Sequence, residues 1–335
     1  MKTSPWNRPA ALATLALSML LGCSQSRNLG SSNPHGLLPV DERNPILLVN
    51  DGTEDNWQGE YAILLANNGG PRLAGIAVGA SPNWPKVDDN IEDWRSLVEA
   101  ARASGVPDLP DPTASIGAKL VRPASGQIEA TAPNRSEGAR LIVSLSRELS
   151  LPYRPLVVVT GGRLTDVADA YLLDPTVSDR TIVVSSLGST TDNGATMADP
   201  NGEMDPWADV IVTTRFRYVQ VSAFYDQLLD VPSSRFSELP ENPLGRWIMA
   251  KAPKVWDLPK AADQVAVLAV GVPSFAVEVD RVSTAATVAA DAATGPQLLS
   301  DAEGADWLVR RCDGARAADS FWTALLAVPG AASTH

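Results

Sequence analysis

The stretch that decides the fold runs from residue 46 to residue 56 and reads ILLVNDGTEDN. Four apolar residues lead into a polar segment that carries Asp51, Glu54 and Asp55. A short apolar run that stops at polar residues is typical of a buried strand. The three acids that follow it repel one another. The cluster is therefore either a solvated loop with no special role or a place where something positive binds.

The same alternation of apolar runs and helical spacing continues along the chain. Apolar strands separated by amphipathic helices indicate a parallel sheet that is covered on both faces. We therefore predict an α/β fold in one domain, with an open, mostly parallel sheet and helices on both faces. The further predicted strands are LAGIAVGA (73–80), PLVVVTG (155–161) and RTIVVSSLG (180–188), and the predicted helices are GEYAILLANN (59–68), IEDWRSLVEAARASG (91–105), SEGARLIVSLSREL (136–149) and LTDVADAYLL (164–173).

Composition bounds the partners of this chain. Its 335 residues are 44% hydrophobic, which is ample material for a core. The formal net charge of −12 repels phosphate backbones, so we expect no nucleic-acid partner.

The N-terminus has the pattern of a processing signal. Lys2 and Arg8 precede an apolar run, residues 10–21, that is short for a membrane span. The run ends in Leu20-Leu21-Gly22-Cys23, which resembles the lipobox of bacterial lipoproteins. In those proteins the cysteine is lipidated and the peptide before it is removed. An ordinary secretory signal that ends near a cysteine is the alternative.

The lipobox resemblance implies a protein of the bacterial cell envelope whose only membrane contact is a lipid anchor at Cys23. The mature protein would face the periplasm or the cell surface. The Ser-, Asn-, Gly- and Pro-rich segment after Cys23 is typical of a flexible spacer. The predicted boundaries are a signal peptide over 1–22, a tether over 23–44 and a folded domain over 45–330.

Polar residues gather just after the predicted strands, where ligands bind in open α/β sheets. Asp51, Asp55 and Asn56 follow the first strand, and a glycine turn at 161–162 follows the strand PLVVVTG. A long polar loop follows RTIVVSSLG, and Asp263 starts a later apolar segment. A single Asp at a helix start is most often an N-cap, so their joint position at strand ends is the stronger signal.

Several segments resemble those of one enzyme family. NDGTEDN (50–56) resembles the N-terminal acidic fingerprint of nucleoside hydrolases, and GGRLTDVADAYLLDP (161–175) resembles their Gly-x-Leu-Thr-Asn helix start. The long polar loop, ADQVAVLAV (262–270) and ADSFWTALL (318–326) match later family segments in the right order. The chain from about 45 to 326 thus resembles the inosine/uridine-preferring nucleoside hydrolase superfamily, as a divergent, lipoprotein-tethered member. Carbohydrate-associated relatives share the first fingerprint.

The resemblance implies Ca²⁺-dependent hydrolysis of the N-glycosidic bond of a nucleoside or a related glycoside. It implies that Asp55 is the general base for a water molecule, a role that suits a carboxylate beside a metal. Ca²⁺ prefers six to eight hard oxygen ligands. The implied ligands are Asp51, Asn56, Asp263 and the backbone carbonyl of Thr165, and the implied sugar-binding residues are Asn193, Asp199 and Asn201.

Four departures from the family pattern keep a second function open. Asn56 replaces a carboxylate, Asp199 replaces Glu, and Arg163 is an apparent insertion in the glycine turn. Ala262 stands where well-studied members carry a His that protonates the leaving base, and the only histidines are His35 and His335. The alternative is a non-catalytic surface lipoprotein that binds a sugar or nucleoside, or a scaffold with a vestigial site.

The sequence leaves three features undecided. Trp57, Trp84, Trp207 and Trp256 lie in or beside the implied loops, where they either stack on a ligand or belong to the core. The segment 107–136 is a lid or a partner surface. Assembly into a homo-oligomer is also open.

Overall fold

The structure is a computed structural model. The residues that it describes are 38–52, 58–82, 84–115, 118–186, 191–192, 200–221, 229–230, 233–255, 260–261, 263–285 and 297–328.

The described residues form twelve strands and ten α-helices, and every strand and helix predicted from the sequence is present. The strands are β1 (Ile46–Asn50), β2 (Leu73–Val78), β3 (Pro112–Ala114), β4 (Leu156–Thr160), β5 (Thr181–Ser186), β6 (Thr191–Asp192), β7 (Arg217–Val221), β8 (Leu229–Asp230), β9 (Lys260–Ala261), β10 (Ala276–Ala285), β11 (Gln297–Ser300) and β12 (Asp306–Cys312). The helices are α1 (Gln58–Asn67), α2 (Val87–Ala103), α3 (Glu137–Leu149), α4 (Thr165–Leu173), α5 (Val177–Arg180), α6 (Pro200–Met204), α7 (Pro206–Arg215), α8 (Pro243–Val255), α9 (Gln264–Gly271) and α10 (Gly314–Leu326).

Ten of these strands form one sheet in the order β3-β2-β1-β4-β5-β7-β12-β10-β11-β6. From β3 to β12 in this order, each strand is parallel to the next one. The next strand, β10, runs antiparallel to both β12 and β11. The mostly parallel α/β fold predicted from the sequence is therefore confirmed, with an antiparallel extension at one side that the sequence analysis did not predict.

Helices cover both faces of the sheet because its central strands are apolar on both faces. In β1, Ile46 and Leu48 join one hydrophobic cluster, and Leu47 and Val49 join the other. Burial of such a side chain contributes about 1.5–3 kcal/mol, against about 0–1 kcal/mol for a surface ion pair. Apolar burial thus holds the helices to the sheet. The first cluster includes residues of α1, α2, α8, α9 and α10, and the second includes residues of α3, α4 and α7.

Residues 38–44 belong to the folded domain, which corrects the predicted boundary of the tether. Leu38 is 7% exposed and Val40 is 2% exposed, and both lie in the first cluster. The Asn44 side chain donates a hydrogen bond to the Pro155 carbonyl at 2.8 Å. The spacer composition of this segment concealed two apolar side chains that find a place in the core. The chain therefore enters the domain at the amino ends of β1 and β4.

The segment 107–136 is packed on the fold through its described residues. Pro112–Ala114 forms the edge strand β3 beside β2. Leu120 and Ile128 lie in the second cluster, and the Leu120 N–H donates to Asp205 at 3.0 Å. Much of this segment is thus a structural part of the domain rather than a free lid.

Within the described part of the chain, no helix combines the length and the apolar composition that a membrane span requires.

Candidate functional site

The carboxyl ends of four neighbouring strands are held together by backbone hydrogen bonds. The Gly161 N–H, just after β4, donates to the Val49 carbonyl at 3.0 Å. The Gly79 N–H, just after β2, donates to the Asn50 carbonyl at 2.7 Å, and the Ser115 N–H, after β3, donates to β2. The turns after β2, β3 and β4 therefore surround the end of β1, where the acidic segment begins.

Asp51 is the first residue after β1 and is 5% exposed. Its Oδ1 accepts a hydrogen bond from the Gly52 N–H at 2.8 Å, and its side chain also accepts one from Ser81. Its backbone carbonyl accepts from the Trp94 indole N–H at 2.9 Å. These contacts hold Asp51 in a defined position at the mouth of the sheet.

Asp263 is 2% exposed and lies at the N-cap position of α9, but its side chain makes no capping hydrogen bond. The carboxylate instead packs over Gly161, so close that a Cβ at residue 161 would lie 2.4 Å from Oδ2. The next residue, Gly162, lies against Asp51: a Cβ there would be 3.5 Å from its backbone nitrogen. The turn Gly161–Gly162 therefore passes between Asp51 and Asp263.

A buried amide pair links these acids through the start of α1. The Asn50 Nδ2 donates to the Gln58 Oε1 at 2.9 Å. The Gln58 Nε2 in turn approaches the Asp263 backbone carbonyl at 3.5 Å. Both amides are almost fully buried. Sequence analysis did not select them, although their position around the acidic fingerprint was a usable signal.

Thr165 is the first residue of α4, is 3% exposed, and shares a small cavity with Asp51. Its hydroxyl donates to the Asp205 Oδ2 at 2.7 Å, so its side chain is committed to the protein. Asp205 also caps α7 through the Ala208 N–H at 3.2 Å. The hydroxyl contact orients the first turn of α4, which includes the backbone carbonyl named as a ligand.

The cavity has a volume of about 20 Å³, which is room for a single water molecule or ion. Its lining includes Asp51, Ser115, Arg163, Thr165 and Asp166. Carboxylate and carbonyl oxygens are the donors that Ca²⁺ prefers, and Asp51, Asp166 and Thr165 offer such oxygens, whereas Arg163 adds a positive charge to the same lining. No group of three or more His, Cys, Asp or Glu side chains that could hold a metal ion occurs among the described residues.

Arg163 affects the pKa of two carboxylates around this cavity. Burial raises the pKa of Asp51, while the Ser81 and Gly52 hydrogen bonds and the charge of Arg163 lower it in part. Burial likewise raises the pKa of Asp166, against hydrogen bonds from Ser136 and Ser115 and the same Arg163 charge. The described site thus contains a permanent positive charge beside its acids.

The structure brings three of the predicted site residues together: Asp51, Thr165 and Asp263. Asn201, a predicted sugar-binding residue, is 6% exposed, and its Nδ2 donates to the Ser186 carbonyl at the end of β5 at 3.0 Å. The other predicted residues lie outside the described residues: Cys23, Asp55, Asn56, Asn193 and Asp199.

Of the tryptophans near the predicted loops, one is a core residue and one borders the site. Trp207 is 3% exposed in the second cluster and donates to the Thr131 hydroxyl at 2.9 Å, so it is a core residue. Trp84 packs on Gly52, where a Cβ would lie 2.4 Å from its ring, and therefore borders the site. Trp57 and Trp256, like Ala262, are outside the described residues.

Solved structures with the same fold are nucleoside hydrolases and related proteins. A plant nucleoside hydrolase matches with a TM-score of 0.58 at 16% identity, over 84% of this chain and 99% of the other. An inosine-uridine preferring nucleoside hydrolase from Bacillus anthracis matches with a TM-score of 0.60 at 12% identity, over 84% and 99%. A nucleoside hydrolase-related protein from Saccharophagus degradans, described as associated with carbohydrate metabolism, matches with a TM-score of 0.53 at 14% identity, over 85% and 72%.

The chain therefore has the nucleoside hydrolase fold, and the resemblance seen in its sequence is confirmed at the level of the fold. No family model matches the chain, and no curated protein matches it.

We predict that Gly161→Ala displaces Asp263 and destabilises the protein by about 1–3 kcal/mol, the usual cost of overpacking. The added Cβ would overlap the Asp263 carboxylate at 2.4 Å. Gly79→Ala is the matched control at the same edge, since its nearest neighbour would be the Ser115 carbonyl at 3.8 Å. Urea unfolding measures both free energies, and equal values for the two variants would contradict the described packing.

Glu60, in the first turn of α1, is a buried acid that sequence analysis missed. It is 3% exposed, and its Oε2 has no hydrogen-bond partner within the described part of the chain. Burial raises the pKa of Glu60 to about 8. The folded state therefore holds this proton between about pH 4.5 and pH 8, where the unfolded chain releases it.

We predict that this group lowers the free energy of unfolding as pH rises from 6 to 8, by about 1.4 kcal/mol per pH unit near pH 6 and about half of that near pH 8. The sign is negative because the folded state binds more protons than the unfolded state in this range. Glu60→Gln, which has no such proton, should be less sensitive to pH. Urea titrations at pH 6, 7 and 8 measure the difference, and parallel pH profiles for the two proteins would show that Glu60 is not protonated.

Proposed function

We propose that this protein hydrolyses the N-glycosidic bond of a nucleoside or a related glycoside with the help of a Ca²⁺ ion. The observation that carries the proposal is the placement of Asp51 and Asp263. Asp51 follows β1, and Asp263, at the start of α9, packs over Gly161 in the turn after the adjacent parallel strand β4. The Asp263 side chain is not used as a helix cap, and the fold is that of the nucleoside hydrolases.

Each residue in the proposal has one role. Asp51, Asp263, Asn56 and the Thr165 carbonyl would hold the ion, and Ca²⁺ when bound supplies a positive site that polarises and orients water. Asp55 would accept the proton of the attacking water. Asn193, Asp199 and Asn201 would hold the sugar hydroxyls while positive charge develops on the ring. Asn201 would take this role from the end of β5, where its Nδ2 donates to the Ser186 carbonyl.

A second candidate is a non-catalytic protein that binds a sugar or nucleoside on the same fold. Arg163 favours it, because a guanidinium lines the cavity that a divalent cation would share with Asp51. The composition favours it as well, since the only histidines are His35 and His335 and neither belongs to the segments that form the site. Binding without product would identify this candidate.

We predict that the full-length protein releases reducing sugar from at least one nucleoside in a panel of purine and pyrimidine nucleosides, and that excess chelator abolishes the release. Asp55→Asn should lower the rate by about 10²-fold or more, the usual contribution of a general base. A colorimetric reducing-sugar assay measures the rate.

The control for this prediction is Asp89→Asn, which removes a carboxylate from an exposed ion pair with Lys86 in the first turn of α2. This variant should keep full activity. A folded Asp55→Asn protein with wild-type turnover would overturn the assignment of the base. Ligand binding by calorimetry without any release of sugar would favour the second candidate.

We also propose that the protein is a lipoprotein of the bacterial cell envelope, anchored at Cys23. The chain enters the domain at the amino ends of β1 and β4, and the site lies at their carboxyl ends.

Cys23→Ala should move the protein from the membrane fraction to the soluble fraction, because the variant has no thiol to lipidate. Cell fractionation followed by immunoblotting measures the shift. Cys312→Ala is the control, since Cys312 is a buried cysteine of β12 within the domain. A Cys23→Ala protein that stays in the membrane fraction would contradict the anchor.

A further inference from the structure

Arg163 brings a positive charge to the acidic site. It follows Gly162 in the turn between β4 and α4, and it lines the cavity with Asp51 and Thr165. The glycine turn leaves little freedom for this placement, because Gly161 is packed against Asp263 and Gly162 lies against Asp51. The turn therefore presents residue 163 at the cavity.

The charge of Arg163 acts on carboxylates from two different elements. It lines the same cavity as Asp51, which follows β1, and Asp166, in the first turn of α4. Both acids are 5% exposed. Buried carboxylates are costly unless hydrogen bonds or a cation compensate them. Arg163 is a permanent cation, since a guanidinium does not lose its proton in proteins.

A divalent cation at the same carboxylates would meet this positive charge. Like charges repel strongly where solvent screening is weak. Ca²⁺ affinity follows the net charge and the number of oxygen ligands around the site. A guanidinium in the lining therefore lowers the affinity for Ca²⁺.

We propose that Arg163 is an internal cation of this acidic site and competes there with the divalent cation. The site then holds a positive charge in the metal-free protein, and it binds Ca²⁺ weakly until Arg163 is removed or displaced. This inference rests on the proposed cation site but not on hydrolysis.

The test is calorimetric titration of Ca²⁺ into chelator-stripped full-length protein, with thermal unfolding in the presence and absence of Ca²⁺. Arg163→Met keeps the length of the side chain and removes its charge, and it should bind Ca²⁺ at least tenfold more tightly than the wild type. Its melting temperature should rise with Ca²⁺ more than that of the wild type, because a ligand stabilises the state that it binds.

Three variants control this comparison. Arg163→Lys keeps the charge and should stay close to the wild type in Ca²⁺ affinity. Arg95→Met removes an exposed arginine of α2 that pairs with Glu92, and it should have no effect. Adding Asp51→Asn to Arg163→Met should abolish the gain in affinity, since Asp51 belongs to the same site.

Several outcomes would overturn the proposal. They are Ca²⁺ affinity in Arg163→Met that is equal to or weaker than the wild-type value, an equal gain in Arg95→Met, and a gain that survives Asp51→Asn. If Arg163→Met unfolds without metal, Ca²⁺ should restore its melting transition, and failure to restore it also contradicts the proposal.

The proposed function and this inference fail separately. Absence of nucleoside hydrolysis in every variant, together with tighter Ca²⁺ binding by Arg163→Met, would remove the hydrolase and keep the internal cation. Chelator-sensitive hydrolysis with no effect of Arg163 on Ca²⁺ affinity would do the reverse.

Discussion

Burial of carboxylates at the carboxyl ends of parallel strands is the constraint on which the rest of this structure depends. Asp51, Asp166, Asp205 and Asp263 are each between 1% and 5% exposed. A buried charge without compensation costs several kcal/mol, which is a large part of the stability of a typical domain. The residues around these acids therefore supply hydrogen-bond donors and positive charge. The turns follow paths that bring these groups to the carboxylates.

Two kinds of compensation occur side by side at this edge. Asp205 receives the Thr165 hydroxyl, the Leu120 N–H and the Ala208 N–H, so hydrogen bonds satisfy it within the fold. Asp51 receives a hydroxyl and one N–H, and the charge of Arg163 adds to them. The first arrangement is typical of a structural acid. The second leaves an electrostatic balance that a bound cation can change.

The first described residues of the chain pack at the edge of the sheet opposite to the site. The site lies where β1 and β4 end, and the N-terminal chain packs at the opposite ends of the same strands through Leu38, Val40 and Asn44. The core between these two edges is held by apolar side chains on both faces of the sheet.

The sequence by itself determined the α/β class, four of the parallel strands, four of the helices and the acids at the strand ends, because apolar period and strand length are local properties of the chain. It misplaced the start of the domain, because Leu38 and Val40 lie in a segment whose composition is that of a spacer. Only the tertiary structure decided that Asp263 packs over Gly161, that Gln58 lies between Asn50 and Asp263, and that Arg163 lines the cavity beside Asp51. Most of these contacts join residues that are far apart in the chain. The assembly of the strands and helices around the sheet, not any local pattern, brings them within reach.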